Sequence, residues 1–122
     1  MASTTDKGRG AEGRAVAHLA ALGYEILDRN ARTAGGELDI VAREGAVLVF
    51  VEVRARSGCK FGTPFESVTW QKRQRLCRMA ESYLCAKRLA GIACRFDVVS
   101  ILEEHGTQSI ELVKGAFDMA SR

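Results

Sequence analysis

The sequence predicts a single α/β domain in which helices pack against a central sheet, and three observations carry that expectation. An N-terminal apolar helical face is followed by strand-like runs, a second amphipathic helix and two further strand-like runs, in the order α-β-β-β-α-β-β. The two middle runs are rich in Val, Ile, Leu and Phe and meet at Glu44-Gly45, so they read as a hairpin. The 122 residues, 47% of them hydrophobic, suit one domain with an ordinary core that needs neither disulfides nor a structural metal.

Residues 1–10 show no apolar periodicity and are expected to be a flexible N-terminus, with the domain at 11–117 and a C-terminal tail at 118–122. A helix is expected from Ala11 to Leu22, with Ala15, Val16, Leu19 and Leu22 on one face and Glu12 close to the middle of it. An acid there either complements the helix dipole or has a use for its charge. Gly23 ends the helix, Tyr24–Asp28 reads as a first strand, and Arg29–Gly35 as a connection. Gly35-Gly36 reads as a strand-entry turn.

The hairpin strands are Glu37–Arg43 and Ala46–Ala55. With Glu44 and Gly45 as a two-residue turn, Asp39 falls opposite Phe50 and Glu37 opposite Glu52. Alternation then puts Asp39, Glu52 and Arg54 on one face and Leu38, Ile40, Val47, Val49, Val51 and Val53 on the other. Facing carboxylates that are half-buried need a proton, a basic partner or a cation such as a divalent metal.

Ser57–Pro64 carries Gly58, Gly62 and the only proline, and reads as a loop able to order on a ligand. Thr69 is a fitting N-cap for a helix to about Leu89, with Leu76, Met79, Ala80 and Tyr83 on its apolar face and Lys72 on the same face one turn earlier. Arg73, Arg75, Arg78, Lys87 and Arg88 lie on its flanks; Phe65 and Trp70 at its start are core or staple aromatics, with base stacking as the alternative. Gly91 closes this helix, and Arg95–Leu102 and Ser109–Lys114 read as strands around a Glu104–Thr107 turn. Asp97, in the first of them, is expected to be a structural hydrogen-bond acceptor.

The net charge of +3 hides an asymmetry. From Arg54 to Arg95 ten Lys and Arg face only Glu66 and Glu81, a local +8, while the remainder balances to −5. Such a block is a solvated helix surface or, beside an acid cluster, a seat for a polyanion. No apolar run of about 18 residues and no secretion-type leader is present, which predicts a cytoplasmic protein with no membrane partner. Cys59, Cys77, Cys85 and Cys94 form no CxxC pair, and His18 and His105 are isolated, so reduced thiols are expected.

Glu12 on a helix, Asp39 on one strand and Glu52-Val53-Arg54 on the next resemble the PD-(D/E)xK, restriction-endonuclease-like nucleases. More specifically, GRGAEGRAVAHLAALGYEIL, GGELDIVAREGAVLVFVEVRAR, FGTPFESVTWQKRQRL and CRFDVVSI are similar to successive blocks of the YraN-like family, a relative of archaeal Holliday-junction resolvases. The resemblance spans about Lys7 to Phe117 and implies a three-layer fold with a mixed central sheet flanked by helices. It further implies that Asp39, Glu52 and the carbonyl of Val53 bind Mg²⁺ or Mn²⁺, and that Glu12 supports the site. Carboxylate oxygens suit those ions. Arg54 stands where the broad nuclease pattern has lysine; arginine keeps its proton, so it clamps phosphate or stabilises charge but is no general base. Lys72 is the candidate to supply the missing amine, with a helix-end lysine covering apolar surface as the plain alternative.

These residues predict a metal-dependent endonuclease acting on phosphodiester bonds of nucleic acid, with DNA, including branched DNA, as the expected substrate. Its expected binding surface is Arg56, Lys60, Arg73, Arg75 and Arg78. A junction needs two cuts, so a homodimer would suit it. Two other classes compete: a non-catalytic nucleic-acid-binding module retaining the nuclease fold, favoured by Arg54, and a protein-docking subunit of a DNA-processing assembly. Glu37 and Glu66 rank below Asp39 as site members.

Overall fold

The computed structural model describes residues 4–57 and 69–117; the expectations that fall on Cys59, Lys60, Phe65, Glu66, the loop at 58–64 and the tail at 118–122 lie outside the described residues. Along the chain run α1 (Thr4–Ala21), β1 (Glu25–Thr33), β2 (Gly36–Glu44), β3 (Val47–Ser57), α2 (Trp70–Ala86), β4 (Cys94–Glu104) and β5 (Thr107–Phe117), in the expected order. The sheet order is β1-β2-β3-β4-β5, with β3 and β4 parallel and every other pair antiparallel. A parallel pair needs a crossover, and α2 supplies it.

Both sheet faces are covered, which explains why the strands are apolar on both sides. Ala11, Ala15 and Leu19 of α1 pack on Ile40, Ala42, Val49, Val51, Val99 and Ile101. Leu76, Met79, Ala80 and Tyr83 of α2 pack on Val41, Leu48, Phe50, Phe96 and Val98. Phe50, Phe96 and Phe117 form a run of ring contacts, the last pair stacked at 4.5 Å.

Several boundaries differ from the sequence expectation. Thr4–Gly10 are helical rather than frayed. Their glycines and lack of apolar residues hide a helix that, once the segment from Ala11 is packed, extends outward at little cost. β1 continues to Thr33, through what reads as a polar connection, because an edge strand needs few apolar residues. α2 stops at Ala86, where Arg88 takes a left-handed φ of 57° before Gly91 is reached. Its N-cap is Thr69, whose Oγ1 accepts from the Lys72 N–H at 3.2 Å.

The hairpin register is also different. Glu44 pairs with Val47 and Ile40 with Val51, so Gly45-Ala46 forms the turn, with Gly45 at φ 60°. Gly fits that first turn position because no Cβ opposes the positive φ. The shift relative to the expected pairing is two residues, which preserves the faces of the strands. Leu38 is the exception: it packs with the α2 cluster, away from Ile40. β2 and β3 pair from the turn up to Ile40 and Val51, and Leu38 lies beyond that point. Trp70, expected in the core or a staple, is 61% exposed.

The turn from β1 to β2 lies tight under α2. A Cβ on Gly36, at φ 140°, would stand 2.8 Å from Arg75 Nη2 and 2.9 Å from Met79 Sδ. Gly36→Ala is therefore expected to cost about 2 kcal/mol or more, from backbone strain and overpacking together. Gly45→Ala, with nothing within 4 Å of its Cβ, should show only the backbone part, about 1 kcal/mol. Urea denaturation of the two variants measures the difference; equal losses would mean that α2 is not held against this turn.

Candidate functional site

The site lies where β2 and β3 stop pairing. Just past Ile40, the Asp39 carboxylate turns to β3 and accepts the Val53 N–H at 2.9 Å. That bond brings Asp39 beside Glu52, the residue before Val53. The two acids share an apolar backing of Leu38, Phe50, Leu76, Phe96 and Phe117. Burial, the facing Glu52 and, more weakly, Glu12 push the Asp39 carboxyl up to about 7, against the opposing pull of the Val53 N–H.

Lys72 reaches the pair from α2. Its Nζ stands 2.7 Å from Glu52 Oε1, with the lysine side chain 30% and the glutamate 14% exposed. In front of the acids opens a cleft of about 200 Å³ lined by Glu37, Asp39, Glu52, Lys72, Arg75, Leu76 and Met79. Lys72, Arg75, Leu76 and Met79 are spaced i, i+3, i+4 and i+7, which is one stripe of a helix. Arg75, expected on a helix flank and in the binding surface, and Glu37, ranked below Asp39, both line this cleft; the i, i+3 spacing from Lys72 is the sequence signal for Arg75.

The other expected residues are placed as follows. Glu12, on α1, is close enough for its charge to act on Asp39, and its buried Oε2 has no hydrogen-bond partner among the described residues. Arg54 and Arg56 are half-buried on β3, and Arg54 is not among the residues lining the cleft. The Arg73 guanidinium lies 5.8 Å from the centre of the Phe117 ring, and Arg78 is exposed on α2. Asp97 is the structural acceptor expected of it. Fully buried, it accepts from Tyr24 Oη at 2.7 Å, from Arg95 Nε and Nη2 at 2.8 and 2.9 Å, and from the Gly115 N–H at 3.0 Å.

Among the described residues no three His, Cys, Asp or Glu side chains stand close enough together to hold a metal ion. A closed protein cage of the zinc type is thus not what these residues build. Two carboxylates, with a nearby glutamate oxygen that lacks a partner among the described residues, do fit Mg²⁺ or Mn²⁺ chemistry, since Mg²⁺ keeps several waters and takes one or two carboxylates. Among the described residues no helix is long and apolar enough to cross a membrane. Cys77, Cys85 and Cys94 are free thiols.

A three-layer α/β domain with a mixed sheet and an acid pair on the two strands ahead of its crossover helix is of the restriction-endonuclease-like class. Within that class the chain belongs to the YraN-like family: residues 11–101 match the family described as "Uncharacterised protein family UPF0102". It is 50% identical to a UPF0102 protein of Moorella thermoacetica, covering 91% of this chain and 94% of that one. It is 44% identical to one of Geotalea daltonii over 89% and 87% of the two chains, and 46% identical to one of Hahella chejuensis over 81% and 80%.

The raised Asp39 carboxyl has a consequence for stability that needs no ligand. An unfolded Asp ionises near pH 3.9. As pH rises from about 4 through about 7 the unfolded chain loses this proton first, so the metal-free fold loses stability across that window. Asp39→Asn keeps an acceptor for the Val53 N–H and removes the charge. It should be more stable than the parent at pH 8 in EDTA by about 2 to 4 kcal/mol, and equal to it near pH 4. Urea unfolding at the two pH values decides; a variant less stable at pH 8 would show that the carboxylate is already well compensated.

Proposed function

We propose that the chain is a metal-dependent endonuclease that hydrolyses phosphodiester bonds in nucleic acid, with DNA as the substrate and branched forms among those cut. The observation that supports this most is the Asp39 and Glu52 pair, half-buried side by side at the rim of a cleft with the Lys72 ammonium on Glu52. What a divalent cation supplies at such a pair is positive charge that polarises the scissile phosphate and lowers the pKa of an attacking water. Asp39 and Glu52 would hold that ion, the Val53 carbonyl beside them, and Glu12 would steady the acids from α1.

The chain's own groups do the rest. Asp39, fixed by the Val53 N–H, sets the position of the acid pair against β3. Lys72 is oriented by Glu52, and from there its ammonium donates to a phosphate oxygen and stabilises charge growing in the transition state. Arg54 adds positive potential and no proton transfer. Arg56, Lys60, Arg73, Arg75 and Arg78 steer the polyanion, which makes association fall with salt. The presence of Arg54 favours a second reading, a nucleic-acid-binding module without catalysis.

A panel of single-stranded, flapped and four-way DNA with Mg²⁺, Mn²⁺ or EDTA tests the reading. Asp39→Asn and Glu52→Gln should each lower Mg²⁺-dependent cleavage by about a hundredfold or more, while binding in EDTA stays equal or tightens because repelling charge is gone. Lys72→Ala should also cost about a hundredfold, with Arg54→Lys nearly neutral. A parent protein that binds DNA yet cuts none of the panel, with Arg54→Lys equally inactive, overturns the nuclease reading in favour of the binding module.

A further inference from the structure

We infer that Arg75 is a positioning residue that holds a second backbone phosphate of the bound strand, away from the one at the acid pair, with the Gly35-Gly36 turn as the platform that aims its guanidinium. The inference rests on the nucleic-acid reading above and assigns a separate subsite within the same cleft.

Three features single out Arg75 from the other cations of α2. First, it lines the cleft with Asp39, Glu52 and Lys72, whereas Arg73 lies over the Phe117 ring and neither Arg73 nor Arg78 borders the cleft. Second, its charge has no carboxylate partner among the described residues, although Glu37 lines the same cleft. Lys72, one turn earlier, is already engaged by Glu52, so the two cations have different tasks. An unpaired guanidinium facing a cleft is matched by an external anion, and its planar fork suits phosphate oxygens.

Third, the side chain is oriented. Arg75 Nε donates a long hydrogen bond of 3.4 Å to the Gly35 carbonyl, and Nη2 lies 2.8 Å from where a Gly36 Cβ would be. The guanidinium therefore rests on bare backbone, with the Met79 sulfur also near, 2.9 Å from the same Cβ position. Any side chain at 36 would push it away. With Nε used inward, the outer N–H groups remain for a ligand. Arg carries about 2 kcal/mol of rotamer entropy when free, so holding the fork in place beforehand lowers what binding must supply. A phosphate seated there is held apart from the acids, which sets the strand's register against the reacting position.

The test compares Arg75→Ala, Arg75→Lys and Gly36→Ala with the parent and with Arg29→Ala, which removes one charge from the exposed edge strand β1. Anisotropy of labelled single-stranded and four-way DNA in EDTA, over a salt series, gives Kd and its salt slope. Mn²⁺-dependent cleavage, read as kcat and KM, gives the second measure. Arg75→Ala should raise Kd and KM roughly tenfold and lower the salt slope by about 1, with kcat changed less than KM. Arg75→Lys should restore the slope but not the affinity, since a point charge replaces the fork. Gly36→Ala, where folded, should weaken binding as Arg75→Ala does and add little to it in the double variant. An Arg75→Ala effect no larger than that of Arg29→Ala, in a protein that binds and cuts, overturns the subsite and leaves the nuclease reading standing. Binding with no cleavage by the parent overturns the nuclease reading and leaves the subsite to be judged on Kd and slope. No binding by the parent overturns both.

Discussion

The hydrogen bond from the Val53 N–H to Asp39 is the contact on which the site depends. Up to Ile40 and Val51 the two hairpin strands satisfy each other's backbone groups; beyond that point the Asp39 side chain takes over as acceptor. An N–H withdrawn from water must have a partner, so Asp39 is required by the sheet itself. The same bond draws its carboxylate to within reach of Glu52, over an apolar floor that neither acid would select alone. The like-charge contact is thus a by-product of strand separation, held in place by two apolar layers that continue undisturbed on both sides of it.

Asp97 shows what a compensated acid looks like in the same sheet. It is 1% exposed, yet two nitrogens of Arg95, the Tyr24 hydroxyl and the Gly115 amide surround it, and Glu44 and Lys114 extend the network to the surface. Every lone pair has a use, as burial of a charge demands. Gly115, at φ 60° next to the β4–β5 register shift, thereby aims its own amide at the carboxylate. Asp39 has one amide and a facing acid. Two carboxylates of one sheet, on β2 and β4 either side of β3, are separated by this difference in partners: Asp97 ties β4 to β5 and to the α1–β1 connection, and Asp39 retains a demand for positive charge.

That difference marks the limit of what the residues alone reveal. Alternation along β2 and β3 was readable, so the shared face of Asp39, Glu52 and Arg54 follows even though the pairing is shifted by two, because an even shift keeps parity. The shift arises from competition between Glu44-Gly45 and Gly45-Ala46 for the turn, which differ by little in composition. Leu38 breaks the parity where the strands separate, and nothing in its neighbours announces that. The Thr69 cap and the α2 apolar stripe were legible from local chemistry. The end of α2 was not, since Arg88 accepts a left-handed φ that composition assigns to Gly91. The meeting of Arg75 with Glu37 was legible only in part: the spacing from Lys72 puts Arg75 on the same helix stripe, but that this stripe faces Glu37 depends on how α2 lies over the Gly35-Gly36 turn.

The crossover α2 therefore does two things that are usually divided between elements. Its Leu76, Met79, Ala80 and Tyr83 seal one face of the sheet, and the stripe that begins at Lys72 continues that apolar face out to the cleft rim. A shift of the helix large enough to move Lys72 from Glu52 would also open the packing of Leu76 and Met79, and it would lift Arg75 from Gly36. Cation placement is in this way coupled to core packing, which is resistant to small displacements. An amine carried on the β3 strand itself, in place of Arg54, would sit next to the acids without such a constraint. Carried on α2, it is held by the core, and its distance from the acids is set by the same contacts that keep the domain folded.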